Sequence, residues 1–153
     1  MKKQYFFYGI LISVILFSSC SKNDDNINSS ALIGVWIPIK DVSICSSGSE
    51  EVYEYDACEQ KGTLEFTKDG NLYYKEYELE NNGDCVFFME VMGTWTLSDD
   101  ILNYGTVFRN RATIEFNGNI LRINDLLEEG ESYDCDDESS ETTSYSEFIR
   151  VKE

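Results

Sequence analysis

The feature that most restricts the fold is an alternation of apolar and polar residues with a period of two. Leu64 and Phe66, for example, share one face of residues 63–67, and residues 112–116 repeat the pattern. Side chains of a strand point alternately to opposite faces, so this period is typical of strands with one buried face. We find no convincing amphipathic helix between the alternating runs. The sequence therefore predicts an all-β domain.

Short polar segments rich in glycine, asparagine and aspartate separate the runs. Asn117-Gly118 is the strongest hairpin signal, and the segment Lys68-Asp69-Gly70-Asn71 is a second one, because glycine adopts the positive φ that such turns require. The predicted strands cover residues 32–39, 52–55, 63–67, 72–79, 86–97, 101–108, 112–116, 120–126 and 145–151.

Three details of these strands carry specific expectations. Pro38 suits the edge or the end of its strand, because proline donates no hydrogen bond to a neighbouring strand. Residues 72–79 carry aromatic side chains on both faces, which predicts a bulge or a strand packed on both sides. One face of residues 86–97 is predicted to hold Phe87, Met89, Val91, Trp95 and Leu97.

An antiparallel up-and-down meander of about eight strands leaves two unpaired edges unless it closes into a barrel. Eight strands give about the smallest barrel whose interior can hold one small ligand. Trp36 and Trp95 are expected in the core rather than around a cavity, because inward-facing aromatic residues are more often core. An interior fully packed by Phe66, Phe87, Trp95 and Phe116 would exclude a ligand site.

The N-terminus has the order of a secretory signal. Lys2 and Lys3 give a basic start, residues 5–17 are an uncharged apolar run, and Ser18 and Ser19 precede Cys20. The run has 13 residues, whereas a transmembrane helix needs about 20. We therefore expect residues 1–19 to be a signal peptide, residues 20–30 a tether and residues 31–153 the folded domain.

Phe17-Ser18-Ser19-Cys20 resembles the lipobox of bacterial lipoproteins, in which the cysteine becomes the lipidated first residue. Phe17 departs from the leucine that is more usual there, and a plain secretory signal ending by chance in a cysteine is the alternative. Lys22, Asp24 and Asp25 are similar to the acidic tether that sends Bacteroidota lipoproteins to the cell surface, or they belong to a solvated linker. The resemblance implies a lipid on Cys20 and an outer-membrane location on the periplasmic or cell-surface face.

Four cysteines remain besides Cys20: Cys45, Cys58, Cys85 and Cys135. An even set in an exported chain predicts two disulfides, and the residues alone leave three connectivities open. A structural zinc site is the rival. It is disfavoured because no two cysteines have a CxxC-type spacing and the chain contains no histidine. We expect neither a metal nor a cofactor.

Several motifs together resemble lipocalin-like domains over roughly residues 32–152. Leu32-Ile33-Gly34-Val35-Trp36 looks like the L-x-G-x-W opening of that family. The later pattern is similar to that of small lipocalin-like lipoproteins and consists of Asp56-Ala57-Cys58, residues 64–70, Cys85 and Gly93-Thr94-Trp95-Thr96-Leu97. The resemblance implies a lipocalin-like barrel, an interior site for a small apolar molecule, and a Cys58–Cys85 disulfide that leaves Cys45 to Cys135. It transfers no ligand-binding residue.

The charge restricts the partners. The formal charge is −17, and removal of residues 1–19 with Lys2 and Lys3 makes it −19. Such a balance argues against nucleic acid and against electrostatic docking onto anionic lipid, so membrane attachment must depend on acyl chains. Residues 125–141 hold nine acidic residues and no basic one. Asp134-Cys135-Asp136-Asp137-Glu138 suggests calcium, but the EF-hand arrangement is absent and a solvated loop pinned by Cys135 is favoured.

The functional expectation is a non-catalytic, membrane-anchored binding module for a small apolar ligand. The alternative is a structural or protein-interaction accessory of an envelope complex that uses the acidic loop or a barrel edge. An enzyme is disfavoured because the chain lacks histidine, the commonest general base. Paired carboxylates remain a route to catalysis, but no pair among the 29 acidic residues stands out.

Overall fold

Nine antiparallel strands and two short helical segments make up most of the described part of the chain. The computed structural model describes residues 29–105, 109–126, 135 and 140–152. Helix α1 is Ser29–Leu32, and a 3-10 turn covers Glu59–Lys61. The strands are β1 Gly34–Cys45, β2 Glu50–Glu54, β3 Thr63–Phe66, β4 Asn71–Leu79, β5 Cys85–Ser98, β6 Ile101–Gly105, β7 Arg109–Asn117, β8 Ile120–Asp125 and β9 Glu141–Arg150.

The strands form one sheet that closes on itself. From β3 to β9 each strand pairs with the next, β3 pairs with the first part of β1, and β9 pairs back along β1 from Trp36 to Cys45. This confirms the predicted all-β, antiparallel barrel of about eight strands. Strand β2 is extra. It pairs with residues 40–44 of β1, on the side where β3 pairs with residues 34–36, because β1 is long enough for both.

The predicted turns lie between the strands as expected. Gly118 has a φ of 64° in the turn between β7 and β8, and Gly70 has a φ of 79° in the turn between β3 and β4. Both values lie in the left-handed region that favours glycine. The turn between β5 and β6 reaches the same region with Asp99 and Asp100, since aspartate tolerates it better than most residues.

The first strand differs from its prediction. Leu32 belongs to α1, so the strand begins at Gly34 and continues to Cys45, well beyond the predicted end at residue 39. Pro38 lies inside β1 rather than at its edge or end. The register with β9 shifts between Pro38 and Lys40, and such bulges are sites where a sheet tolerates proline. Strand β9 begins at Glu141, before the predicted residue 145.

The pairing of β4 with β5 explains one wrong prediction. The register shifts between Glu76 and Tyr77, so that Phe88 is an extra residue in β5. A bulge is one of the two alternatives that the aromatic residues of β4 predicted, and its extra residue lies in the partner strand β5. It removes Phe87 from the face of Met89 and Val91. Phe87 is 53% exposed and packs edge-on against Tyr77, with ring centroids 5.7 Å apart.

The hydrophobic core fills one half of the barrel, which we call the closed end. It holds α1 and the turns after β3, β5 and β7. Trp36 is fully buried beside Phe116, and Trp95 packs edge-on against Phe66, which confirms both tryptophans as core residues. The core consists of Leu32, Trp36, Leu64, Phe66, Leu72, Trp95, Leu102, Ala112, Ile114, Leu121, Ile123 and Phe148.

Helix α1 covers this end of the barrel. The indole N–H of Trp36 donates a hydrogen bond to the carbonyl oxygen of Leu32 at 2.9 Å. The guanidinium of Arg150 lies 4.3 Å from the centroid of the Trp36 ring and donates to the carbonyl oxygens of Ile33 and Ala31. The start of the domain is thereby fixed to its last strand. Neither helical segment in the described ranges is long and apolar enough to cross a membrane.

Candidate functional site

The opposite half of the barrel, which we call the open end, contains a cavity of about 430 Å³. Four core residues, Leu64, Leu72, Ile123 and Phe148, form part of its wall, which continues to the end of β6 and the start of β7. Phe66 and Trp95 pack the closed end, Phe87 lies outside, and none of the three lines the cavity. The interior is therefore neither fully sealed nor fully hollow. Apolar side chains contribute much of the wall: Pro38, Leu64, Leu72, Met89, Val91, Ile123 and Phe148.

Three tyrosines give the cavity a polar part. Tyr55, Tyr74 and Tyr104 line it together with Asn110 and Ser146. The hydroxyl of Tyr55 donates a hydrogen bond to Oδ2 of Asp41 at 2.7 Å, and that of Tyr104 donates to Oδ1 of Asp125 at 3.0 Å. The hydroxyls of Tyr55 and Tyr104 are therefore each hydrogen-bonded to a carboxylate.

The bulge in β1 places the first of these carboxylates. Trp36 and Pro38 are buried, and a regular strand would continue that face at residue 40. The register shift instead puts Lys40 opposite Glu147 and Asp41 opposite Ser146, which lines the cavity. The carbonyl oxygen of Ile39, at the shift, accepts the backbone N–H of Tyr55 at 3.0 Å. One irregularity thus positions both members of the Tyr55–Asp41 pair.

Burial and nearby carboxylates keep these tyrosines protonated. Burial is the main cause that raises the pKa of Tyr74 to about 12, and the charges of Glu76, Asp41 and Glu59 add to it. Burial also raises the pKa of Tyr104, assisted by Asp125, and that of Tyr55, assisted by Asp41. All three hydroxyls are therefore neutral hydrogen-bonding groups at neutral pH.

Two disulfides brace the open end. Cys58, just after β2, is joined to Cys85 at the start of β5, and Cys45, at the end of β1, is joined to Cys135 between β8 and β9. These are the pairs that the family resemblance implies. Cys45, Cys135 and Glu51 lie close enough to suggest metal ligands. The two cysteine sulfurs are bonded to each other, however, and supply no thiolate ligand for the zinc site that was considered as the alternative to disulfides.

Other sequence-predicted features cannot be placed. Residues 1–28, which include Cys20, and residues 127–134 and 136–139 of the acidic segment lie outside the described residues. The calcium alternative at Asp134 and residues 136–138 therefore stays a prediction. Sequence reasoning missed the cavity residues Tyr55, Tyr74 and Tyr104, and it missed Asp41, which accepts a hydrogen bond from Tyr55. Pro38 in mid-strand is the signal that could have indicated Asp41 and Tyr55, because a proline inside a strand is typical of a bulge, and a bulge changes the face of the residues that follow it.

The basic side chains described near the open end lie on the outer surface. Lys40 and Arg122 both pair with Glu147, at 3.4 Å and 2.7 Å between nitrogen and oxygen. Arg122 also lies over the ring of Tyr145, 4.1 Å from its centroid. These contacts hold two cations outside the barrel wall, away from the tyrosines of the cavity.

Comparison with known proteins gives one family. Residues 32–125, more than half of the chain, match the family model described as a lipocalin-like domain. The matched segment runs from the end of α1 to the end of β8 and includes most of the strands that surround the cavity. No curated protein matches the chain.

Proposed function

Because the chain belongs to the lipocalin-like domain family, we propose that its barrel binds a small, largely apolar molecule at the open end without catalysing a reaction. The observation that carries this proposal is the cavity of about 430 Å³. Ligand sites in proteins are typically concave, largely apolar and roughly 300–1,000 Å³ in volume, with a few polar groups that orient the ligand. The cavity has this composition.

The structure also explains why a cavity and a stable core coexist. The buried residues that hold the barrel together lie mainly at the closed end, where α1 and Arg150 cover Trp36. The open end is instead braced by two disulfides. Its interior can stay unfilled because covalent links replace part of the stabilisation that packed side chains would supply.

A bulky residue in the cavity tests the proposal. The full chain carrying Cys20→Ser is used because it cannot be acylated at Cys20, so that no attached acyl chain competes for the cavity. It is titrated with the apolar dye N-phenyl-1-naphthylamine, and the fluorescence of the dye is recorded. We expect saturable binding, and we expect Val91→Trp to weaken it at least about tenfold, equivalent to 1.4 kcal/mol, because the indole would occupy the cavity that Val91 lines.

Met92→Trp is the matched control. Met92 is the next residue of the same strand, is 66% exposed, and does not line the cavity. It should leave dye binding as in the parent chain. Equal affinities for Val91→Trp and Met92→Trp would place the dye elsewhere and contradict the proposal, as would the absence of saturable binding in the parent.

We further propose that the chain is a lipoprotein anchored to the outer membrane through Cys20, on its periplasmic or cell-surface face. The basic start, the apolar run of residues 5–17 and the small residues before Cys20 support this proposal. Stable anchoring needs more than one acyl chain, and a triacylated cysteine meets that need. The strongly negative charge gives the protein no electrostatic route to an anionic membrane.

Labelling of growing cells with a radioactive fatty acid tests the anchor. We expect the wild-type chain to carry label and to sediment with outer-membrane fractions, whereas Cys20→Ser carries none and is recovered as soluble protein. Ser21→Ala, at the neighbouring position, should behave as wild type. Label that persists in Cys20→Ser would show that another residue is acylated and would refute the proposal.

A further inference from the structure

Two of the three cavity tyrosines, Tyr55 and Tyr104, present hydrogen-bond acceptors rather than donors to the cavity. A phenol has one proton to donate and lone pairs to accept with. Tyr55 and Tyr104 donate their hydroxyl protons in hydrogen bonds to Asp41 and Asp125. Toward the cavity, these two hydroxyls therefore offer acceptor lone pairs, and a ligand group that meets them must be a donor.

The negative charge of the carboxylates hydrogen-bonded to the tyrosines also favours a ligand that donates hydrogen bonds, and in particular a cation. Oδ1 of Asp41 is buried and makes no hydrogen bond to any described residue, and an unpaired buried charge is unfavourable. Asp125 accepts a hydrogen bond from the hydroxyl of Tyr104. No lysine or arginine is among the described residues that line the cavity, and Lys40 and Arg122 are held outside by Glu147. Burial is the main cause that raises the pKa of Tyr74, and the charges of Glu76 and Asp41 add to it.

We propose that the cavity selects small organic amines. The ammonium group would be directed to the hydroxyls of Tyr55 and Tyr104, which are hydrogen-bonded to Asp41 and Asp125. The apolar body would lie against Leu72 and Val91. This proposal rests on the proposed ligand-binding function and names its ligand class. Tyrosine rings add to it, because aromatic faces attract organic cations.

The alternatives fit less well. A fatty acid would bring a carboxylate toward acceptors and two negative charges. A neutral alcohol could donate a hydrogen bond but would bring no positive charge to offset that of Asp41. A cavity of about 430 Å³ lies near the lower end of the range for ligand sites, which favours a small free amine over a two-chain lipid with an amine headgroup.

Three probes with the same ring and different heads test the proposal: 2-phenylethylamine, 2-phenylethanol and 3-phenylpropionate. Each competes with N-phenyl-1-naphthylamine on the full chain carrying Cys20→Ser at pH 7. We expect the amine to bind most tightly and the acid most weakly, with a ratio of at least about tenfold, because a hydrogen bond to a charged group contributes that much or more. Equal affinities, or tighter binding of the acid or the alcohol, would overturn the proposal.

Variants that remove one carboxylate charge test whether the preference for the amine arises at the cavity. Asp41→Asn keeps the shape of the side chain and should lower the ratio of amine to alcohol affinity by about tenfold. Glu115→Gln removes the same charge from the outer face, where the side chain of Glu115 is 67% exposed, and should leave the ratio unchanged. Asp125→Asn is a second variant that decides the question if Asp41→Asn fails to fold. If Asp41→Asn and Glu115→Gln lowered the ratio equally, the preference for the amine would depend only on the net charge of the protein, and the assignment would be overturned.

The outcomes separate this proposal from the one on which it rests. Saturable dye binding without a preference for the amine would refute the amine assignment and leave ligand binding intact. Failure of the dye to bind the parent chain would refute both. A comparison with vesicles that contain phosphatidylethanolamine distinguishes the source, since tighter capture of that lipid than of the free amine would contradict the size argument.

Discussion

Replacing Trp36 with alanine is expected to lower the free energy of unfolding by about 4 kcal/mol, within the range for large-to-small aromatic changes in cores. Trp36 is fully buried, packs against Phe116 and donates to the carbonyl of Leu32. Arg150 stacks on its ring. Alanine would leave a void beneath α1 and remove the surface on which Arg150 rests. Since domains are stable by only about 5–15 kcal/mol, this variant should be close to unfolding.

Urea denaturation followed by far-ultraviolet circular dichroism measures the effect without relying on tryptophan emission. Trp36→Phe keeps an aromatic ring and loses the indole hydrogen bond, so we expect a smaller loss of about 1–2 kcal/mol. Phe88→Ala is the exposed control, because Phe88 is 51% exposed, and its loss should stay within about 0.5 kcal/mol. A loss below about 1 kcal/mol for Trp36→Ala would show that the closed end does not depend on this residue.

Removing the Cys45–Cys135 disulfide is expected to have an effect of similar size. The two cysteines are 90 residues apart in the sequence, whereas Cys58 and Cys85 are 27 apart. A disulfide restricts the unfolded chain more when it closes a longer loop. On that account the double variant Cys45→Ser/Cys135→Ser should lose about 4–5 kcal/mol, and Cys58→Ser/Cys85→Ser about 3.5 kcal/mol.

The two double variants are compared by urea denaturation in the Cys20→Ser background, where thiol titration of the denatured parent should detect no free cysteine. Each variant is the other's control, since both remove one disulfide and add two serines. A greater loss for the Cys58 and Cys85 variant would contradict the loop-length argument and would mean that strain or packing at the longer link outweighs the entropy of the unfolded chain.

The barrel could be predicted from the sequence because its determinants are local and repeated. The alternation around Leu64 and Phe66 assigned the strands, and Asn117-Gly118 located a hairpin. Closure followed from the unfavourable edges of a meander. The resemblance at Gly34 and Trp36 independently indicated the family that the comparison shows.

The site could not be predicted in the same way because it depends on irregularities. The bulge after Pro38 reverses the alternation and brings Asp41 to the inside, and the extra residue Phe88 takes Phe87 to the outside. Alternation of apolar and polar residues does not show where a bulge shifts the register of a strand by one residue. The Tyr55–Asp41 contact also joins a residue of β1 to one that follows β2, which no local pattern specifies.

The position of α1 has a geometrical consequence for ligand access. The chain enters the barrel at the closed end, and the cavity lies at the opposite end. A tether of about ten residues extends at most roughly 3.5 Å per residue, so an anchor on Cys20, as proposed, would keep the closed end within roughly 35 Å of the bilayer. When the closed end lies against the bilayer, the mouth faces the aqueous compartment. Ligands then arrive by diffusion through water, a route that suits water-soluble amines.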